Sequence, residues 1–225
     1  MKLKVHLLFW GIIVASVVRG QEINISAGYQ YIYSSEWDKA IQRYNFARPF
    51  MDKAQPLLIH GGYIEAAYFF ASDRKFNSGV KSSYAFTRSS SKNTDEIAIN
   101  LQQFNLGYSL KYSFNGRLKG CMLEADITAL STILNKRINN EIELIDEEKN
   151  RAFGIGLNFG ITTFYKIEIG DKRLFSPFIG VGYSPYLRSP ESESVLDQSI
   201  STSGTKDIRI INWKLGVRYT FLKAN

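Results

Sequence analysis

The chain has 225 residues and a mass of 25.6 kDa, with 44% apolar, 14% aromatic and 22% charged residues, one domain's length of chain and too apolar to be disordered. Its single Cys excludes a disulfide framework and a Cys-based zinc site. Beyond residue 20 no apolar run approaches the ~18 to 20 residues of a spanning helix, which excludes a polytopic helical membrane protein and leaves a soluble β-rich domain or a membrane β-barrel.

The first segment addresses the compartment. Lys2 and Lys4 precede an apolar run from Leu7 to Val18, and Val18-Arg19-Gly20 offers small residues where a signal peptidase reads. Residues 1–20 are expected to be a cleaved secretory signal, with residues 21–225 as the mature barrel; the alternative is an uncleaved anchor, for which the run is short. Cleavage removes Lys2, Lys4 and Arg19, leaving 25 basic against 21 acidic residues and lowering the net charge from +7 to +4. With no Lys/Arg block remaining, nucleic acid is not an expected partner.

From Gln21 onward the apolar period is 2, in segments of the ten or so residues a tilted barrel strand needs. The first, Ile23 to Ser34, puts Ile23, Ile25, Ala27, Tyr29, Tyr31 and Tyr33 on one face. The second spans His60 to Phe70, and the third Phe76 to Arg88. In the fourth, Phe104 to Phe114 alternates with Gly, Ser, Asn and Lys. Its upper end, Ile97, Ile99 and Leu101, is in the opposite phase, and a bulge near Gln102 and Gln103 is expected to reconcile the halves. The fifth spans Cys121 to Thr132, the sixth Arg151 to Lys166, the seventh Phe175 to Tyr186, and the eighth, with the clearest alternation, Ile208 to Phe221.

The connections alternate too. Short links fall at 71–75, 115–120 and 168–174, and long polar ones at 35–59, 89–96, 133–150 and 187–207. Eight strands with short turns on one side and long loops on the other predict an all-β, antiparallel up-and-down transmembrane barrel in a bacterial outer membrane, both termini periplasmic. A soluble eight-stranded barrel would turn its apolar stripe inward. Here the polar stripe is mostly Gly, Ser and Asn, too sparsely charged for a solvated exterior. Phe70, Phe76, Tyr112, Phe114, Tyr219 and Phe221 near the short turns resemble an interfacial aromatic girdle.

Over residues 21 to 225 the chain resembles the small outer-membrane β-barrels of the OmpA-like and OmpX-like kind. The resemblance rests on the signal segment, the eight-strand alternation and the last strand. There Lys214, Gly216, Val217, Tyr219 and Phe221 resemble the signal read by the barrel assembly machinery, although Leu222 to Asn225 follow the aromatic. The resemblance implies outer-membrane lipid, lipopolysaccharide and the assembly machinery as partners, and no cofactor. The chain ends at this strand, so no peptidoglycan-binding domain is expected.

Inside the barrel, Glu65, Lys81, Lys111, Glu124, Asp126, Lys214 and Arg218 form the expected charge network. If Phe70 faces Phe76, Glu65 falls opposite Lys81; if Phe114 faces Cys121, Lys111 falls opposite Glu124. The network either fills the lumen, which eight strands leave about wide enough for side chains, or serves an ion path. Gly154, Gly156, Gly160, Gly180, Gly182 and Gly216 point inward, leaving either room for large neighbours or a narrow pore for ions or small solutes.

The first long loop is unusually apolar. Ser35 with Asp38 resembles a capping box, Trp37, Ile41 and Tyr44 share a helical face, and Pro49 stops any helix. With Phe46 and Phe50 this barrel-mouth segment caps the lumen, lies at the membrane surface or binds an extracellular partner. Glu141, Glu143, Asp146, Glu147 and Glu148 form an acidic run, read as a solvated face. A lipid-modifying enzyme would need a His with a Ser or acidic partner. The mature chain offers His60 alone, with no assignable partner, and Cys121 on the lipid-facing stripe, so a non-enzymatic role with structural or surface-interaction function is expected.

Overall fold

The computed structural model describes residues 20–46, 54–70, 75–92, 96–139, 151–169, 173–190 and 208–222. The expected signal segment falls outside these residues except for Gly20, which opens the first strand opposite Phe70. Eight long strands follow in chain order: β1 (Gly20–Tyr33), β2 (His60–Phe70), β3 (Phe76–Lys92), β4 (Glu96–Ser113), β5 (Cys121–Asn139), β6 (Arg151–Tyr165), β7 (Arg173–Arg188) and β8 (Arg209–Leu222). A helix, α1 (Ser35–Phe46), lies between β1 and β2. Each strand pairs antiparallel with its sequence neighbours, and β1 pairs with β8 from Glu22–Leu222 to Tyr33–Ile211, closing the sheet. A two-residue segment, Ile167–Glu168, continues β6 into its turn and pairs with Phe175 and Leu174. No helix among the described residues is long and apolar enough to cross a membrane.

The period-2 pattern becomes two faces. Outward side chains are apolar and exposed on every strand: Ile25, Ile64, Val80, Leu106, Ile127, Ile161, Ile179 and Leu215 are 38 to 60% accessible. A contiguous apolar exterior of this extent is unfavourable in water and matches hydrocarbon. Near the short turns the outward aromatics touch one another. Phe76 and Tyr112 have centroids 4.7 Å apart, Tyr112 and Phe114 4.9 Å, and Tyr219 and Phe221 4.7 Å.

Two expectations fail. First, β4 contains no bulge: its register against β3 runs unbroken from Phe76–Tyr112 to Lys92–Glu96, and against β5 from Ser113–Met122 to Glu96–Asn139. The phase change instead reverses what the lumen holds. Ile99 and Leu101 point inward and are fully buried, because the mouth contains an apolar layer rather than a polar one. Second, the links expected at 89–96 and 133–150 are shorter than read, since β3, β4 and β5 have 17, 18 and 19 residues. That exceeds the ~9 to 11 residues needed to span, so these three strands run on beyond the apolar band, whose upper limit is marked by outward Arg88, Asn100 and Asn135.

The short β4–β5 turn needs glycine twice: Gly116 and Gly120 have φ of +70° and +100°. Phe114 N–H donates to the Cys121 carbonyl at 3.1 Å, which fixes the register of that hairpin.

Candidate functional site: the lumen and its outer mouth

The lumen is layered, and the layers follow from which residues alternate inward. At the end that carries the short turns Lys111 pairs with Glu22 and its ammonium sits 4.5 Å from the Phe69 ring centroid. Lys111 does lie opposite Glu124 in the β4–β5 ladder, but the ion pair expected there does not form. Glu124 is taken by two other cations.

Those cations define the middle layer. Arg218 on β8 is fully buried. Its Nη1 donates to Glu124 Oε2 at 2.5 Å, Nη2 to Glu65 Oε1 at 2.7 Å, and Nε to Ser26 Oγ at 3.0 Å. The guanidinium also stacks 3.8 Å from the Phe164 ring centroid. Lys81 donates to Glu124 Oε1 at 2.8 Å and Asp126 Oδ1 at 3.0 Å, and lies 3.1 Å from Glu65 Oε2. Glu65 faces Ser83 in the β2–β3 ladder, not Lys81, which faces Ala67; the expected register is off by two, and the lysine reaches Glu65 diagonally. Lys214 also points inward, with its ammonium 5.3 Å from the Tyr63 ring centroid, while the ion pairs of the cluster run through Lys81 and Arg218. Three carboxylates and three cations make this layer formally neutral.

Phe164, Phe178 and Tyr63 pack beside the charges, with centroids 5.5 and 5.9 Å apart. The inward glycines give room to their neighbours rather than lining a path. A Cβ at Gly160 would meet Asp126 Oδ1 at 2.6 Å, one at Gly180 Thr162 Oγ1 at 2.7 Å, and one at Gly182 Asn212 Oδ1 at 2.6 Å. Gly154 and Gly156 sit against Pro190 and Pro185, so of the two readings of this wall the packing favours room for large neighbours.

Above the charges lies an amide and hydroxyl layer. Gln30 donates to Gln103 Oε1 at 3.1 Å, Ser184 to Asn158 Oδ1 at 2.9 Å, and Thr132 meets the Tyr186 hydroxyl at 2.8 Å. Then α1 occupies the mouth. Trp37, Ile41 and Tyr44, at i, i+4 and i+7, are buried against Ile32, Leu58, Ile99, Leu101, Leu130, Leu134, Ile208 and Ile210. Glu36 and Asp38 occupy its first turn and Arg43 its last, matching the helix dipole. The helix begins at Ser35, so Ser34 precedes it in place of the expected Ser35 cap; both serine hydroxyls turn to Glu36. Burial, then the neighbouring Glu36, push the Asp38 carboxyl above its usual range. At the other end Asn45 clamps Gln55 through two bonds, Nδ2 to the Gln55 carbonyl at 2.9 Å and Gln55 N–H to Oδ1 at 2.7 Å, while Gln55 Nε2 donates to Ser89 on β3 at 2.7 Å. Lys136 lies 5.0 Å over the Tyr44 ring.

Of the mouth residues singled out, Trp37, Ile41 and Tyr44 meet in this plug. Phe46 does not: it is 89% exposed at the helix end, one position past the Asn45 clamp. Phe50 and the acidic run at 141–148 lie outside the described residues. Sequence reasoning missed the wall partners Ile99, Leu101, Ile208 and Ile210; the signal was the phase reversal at Ile97 to Leu101. His60 has partners after all, the hydroxyl of Tyr29 and the rings of Tyr29 and Tyr31, each with its centroid 5.7 Å away on the exterior. Among the described residues no group of His, Cys, Asp and Glu is arranged to hold a metal. In the last strand Lys214, Gly216 and Arg218 face inward, and Val217, Tyr219 and Phe221 outward.

No protein-family model matches the chain, and no curated protein matches it in sequence. Among solved structures, Ail, the attachment invasion locus protein of Yersinia pestis, in complex with the heparin analogue sucrose octasulfate, aligns with a TM-score of 0.50 at 15% identity, over 90% of this chain and 99% of that one. Neisserial surface protein A aligns at 0.45 and 8%, over 90% and 96% of the two chains, and OprG from Pseudomonas aeruginosa at 0.42 and 9%, over 91% and 98%. With its closed eight-strand ladder and its likeness to Ail, the chain has the fold of the small outer-membrane barrels.

Proposed function

We propose that this barrel resides in a bacterial outer membrane with both termini periplasmic, and that it acts as a non-enzymatic structural or surface-interaction protein through its outer end. The observation that carries the reading is the filling of the lumen: a formally neutral charge layer, tied together through Lys81 and Arg218, lies below a mouth closed by a helix with three buried anchors. A conducting path would have to break both. The apolar exterior supports insertion, with the assembly machinery acting on the last strand through Lys214, Gly216, Val217, Tyr219 and Phe221.

A lipid-modifying activity finds little support at His60, whose neighbours are two tyrosines on the outer surface rather than a nucleophile and an acid. The test is planar-bilayer recording of the refolded protein beside a variant lacking residues 36–50. The intact barrel is expected to be silent. Discrete conductance steps in the intact barrel would reject a filled lumen in favour of a narrow pore. A faster-migrating unboiled band on a denaturing gel is expected for both proteins, and its absence would reject the membrane barrel itself.

A further inference from the structure

We propose that the outward face of α1, made by Lys39, Gln42, Arg43 and Phe46, is a docking surface for an acidic segment of a partner protein that carries an apolar anchor residue. The inference rests on the reading above that the barrel works through its outer end, and it names the class of partner. By helical periodicity these four positions lie opposite the seam of Trp37, Ile41 and Tyr44 that fills the mouth. All four are exposed, and Phe46 is 89% accessible. Lys39, Arg43 and Phe46 follow one another at i, i+4 and i+7, so their side chains are neighbours on one surface. Among the described residues neither cation is paired.

Both ends of the helix are tied down, which makes this face rigid. Ser34 and Ser35 turn their hydroxyls to Glu36 at its start, and at its end the Asn45 clamp on Gln55 continues to Ser89 on β3. Phe46 stands next to that clamp, so the backbone that presents its exposed ring is held in place. A preorganised face loses little freedom on binding, and aromatic and arginine side chains carry most of the energy of many protein interfaces. Charge selects the partner. The face holds two cations and no acid, since Glu36 and Asp38 lie on its flanks in the first turn. Arg88 and Arg209, exposed at the outer ends of β3 and β8, repeat the sign. Carboxylates therefore suit the cations, and an apolar side chain suits Phe46. A sulfated polysaccharide would match the cations but brings no apolar side chain to cover the ring.

The experiment is fluorescence anisotropy of a labelled random copolymer of Glu and Tyr titrated with the detergent-folded full chain, with poly-Glu and dextran sulfate as competing probes. It compares wild type, K39Q/R43Q, F46S, F46L and R117Q/K119Q, which removes the same charge from the exposed β4–β5 turn at the other end. Wild type is expected to bind the copolymer more tightly than poly-Glu. K39Q/R43Q is expected to lose about fivefold in affinity together with most of the salt dependence, and F46S about tenfold. F46L is expected to lose less than F46S, and R117Q/K119Q to match wild type. No binding of the copolymer by wild type overturns the proposal, as do unchanged affinity in K39Q/R43Q or F46S and an equal loss in R117Q/K119Q. Dextran sulfate bound as tightly as the copolymer, with F46S indifferent, would make the face a polysaccharide site and overturn it too. A variant lacking the unboiled mobility shift is replaced by K39Q or F46Q and read by the same criteria. Any of these failures in a barrel that is silent and heat-modifiable sinks this inference alone, whereas conductance steps in the intact barrel sink the reading it rests on.

Discussion

Glu65 accepts from Arg218 at 2.7 Å and lies 3.1 Å from Lys81, while Lys81 itself serves Glu124 and Asp126. An isolated Glu65–Lys81 pair would tolerate exchange of its charges. In this cluster the exchange E65K/K81E restores that contact but sets a new ammonium against Arg218 and a new carboxylate against Glu124 and Asp126. Breaking a buried pair costs about 3–5 kcal/mol, so the double variant is expected to be no more stable than either single reversal. Equilibrium urea unfolding, followed by the mobility shift, gives the coupling; recovery of most of the single-variant loss would show an isolated pair and refute the cluster. The inward direction of these residues was legible from alternation alone. Their partners were not, because Lys and Arg reach across the lumen: Arg218 on β8 meets Glu124 on β5, strands that are not neighbours in the sheet. Ladder register, itself misjudged by two residues at the β2–β3 turn, constrains such contacts weakly.

At the scale of the element, α1 converts a loop into a stopper. Its helical face was legible in the spacing of Trp37, Ile41 and Tyr44, whereas its destination was hidden. An apolar face predicts burial without naming the surface that buries it, and the matching surface, Ile99 and Leu101, read as a bulge. Period 2 reports which residues share a side, and a phase switch follows equally from an inserted residue or from a lumen that turns apolar. The plug makes a sharp expectation for fluorescence. In a mature chain carrying W213F, Trp37 is the one remaining Trp, since Trp10 belongs to the expected signal. Its emission should be blue-shifted and insensitive to iodide and to brominated acyl chains, as suits a ring 3% exposed inside the mouth. Adding I41D places a carboxylate among Tyr44, Ile99 and Leu101, at a desolvation cost of several kcal/mol. The helix is then expected to leave, giving red-shifted, iodide-quenched emission from a barrel that keeps its mobility shift. Unchanged emission in I41D would show that the apolar seam does not hold α1.

Over the whole molecule, closure depends on where the first strand meets the last. The strand count and the faces came through in the sequence because two solvents, lipid outside and a packed interior within, impose opposite demands on alternate residues of every strand. The closing seam left no such mark, since pairing of β1 with β8 joins residues about 190 positions apart, with two glycines and no side chain to pattern at its middle. Gly28 faces Gly216 across that seam. A Cβ at Gly216 would run into the Ala27 carbonyl, lie 2.7 Å from Gly28 Cα and 2.9 Å from Phe178 Cζ, and one at Gly28 would meet the Leu215 carbonyl and Gly216 Cα. Backbone cannot yield as a flexible side chain does, so any larger residue pushes the closing strands apart. G216V is therefore expected to lose about 1–3 kcal/mol and to fold more slowly into micelles, read from the growth of the fast-migrating unboiled band. Gly62 supplies the control: it points outward, and the nearest atom to an added Cβ is the Gly28 carbonyl oxygen at 4.0 Å, so G62A should fold at the wild-type rate. Equal rates and stabilities for G216V and wild type would mean that the seam has slack. Equal damage in G62A would trace the effect to loss of glycine as such rather than to the contact between β1 and β8.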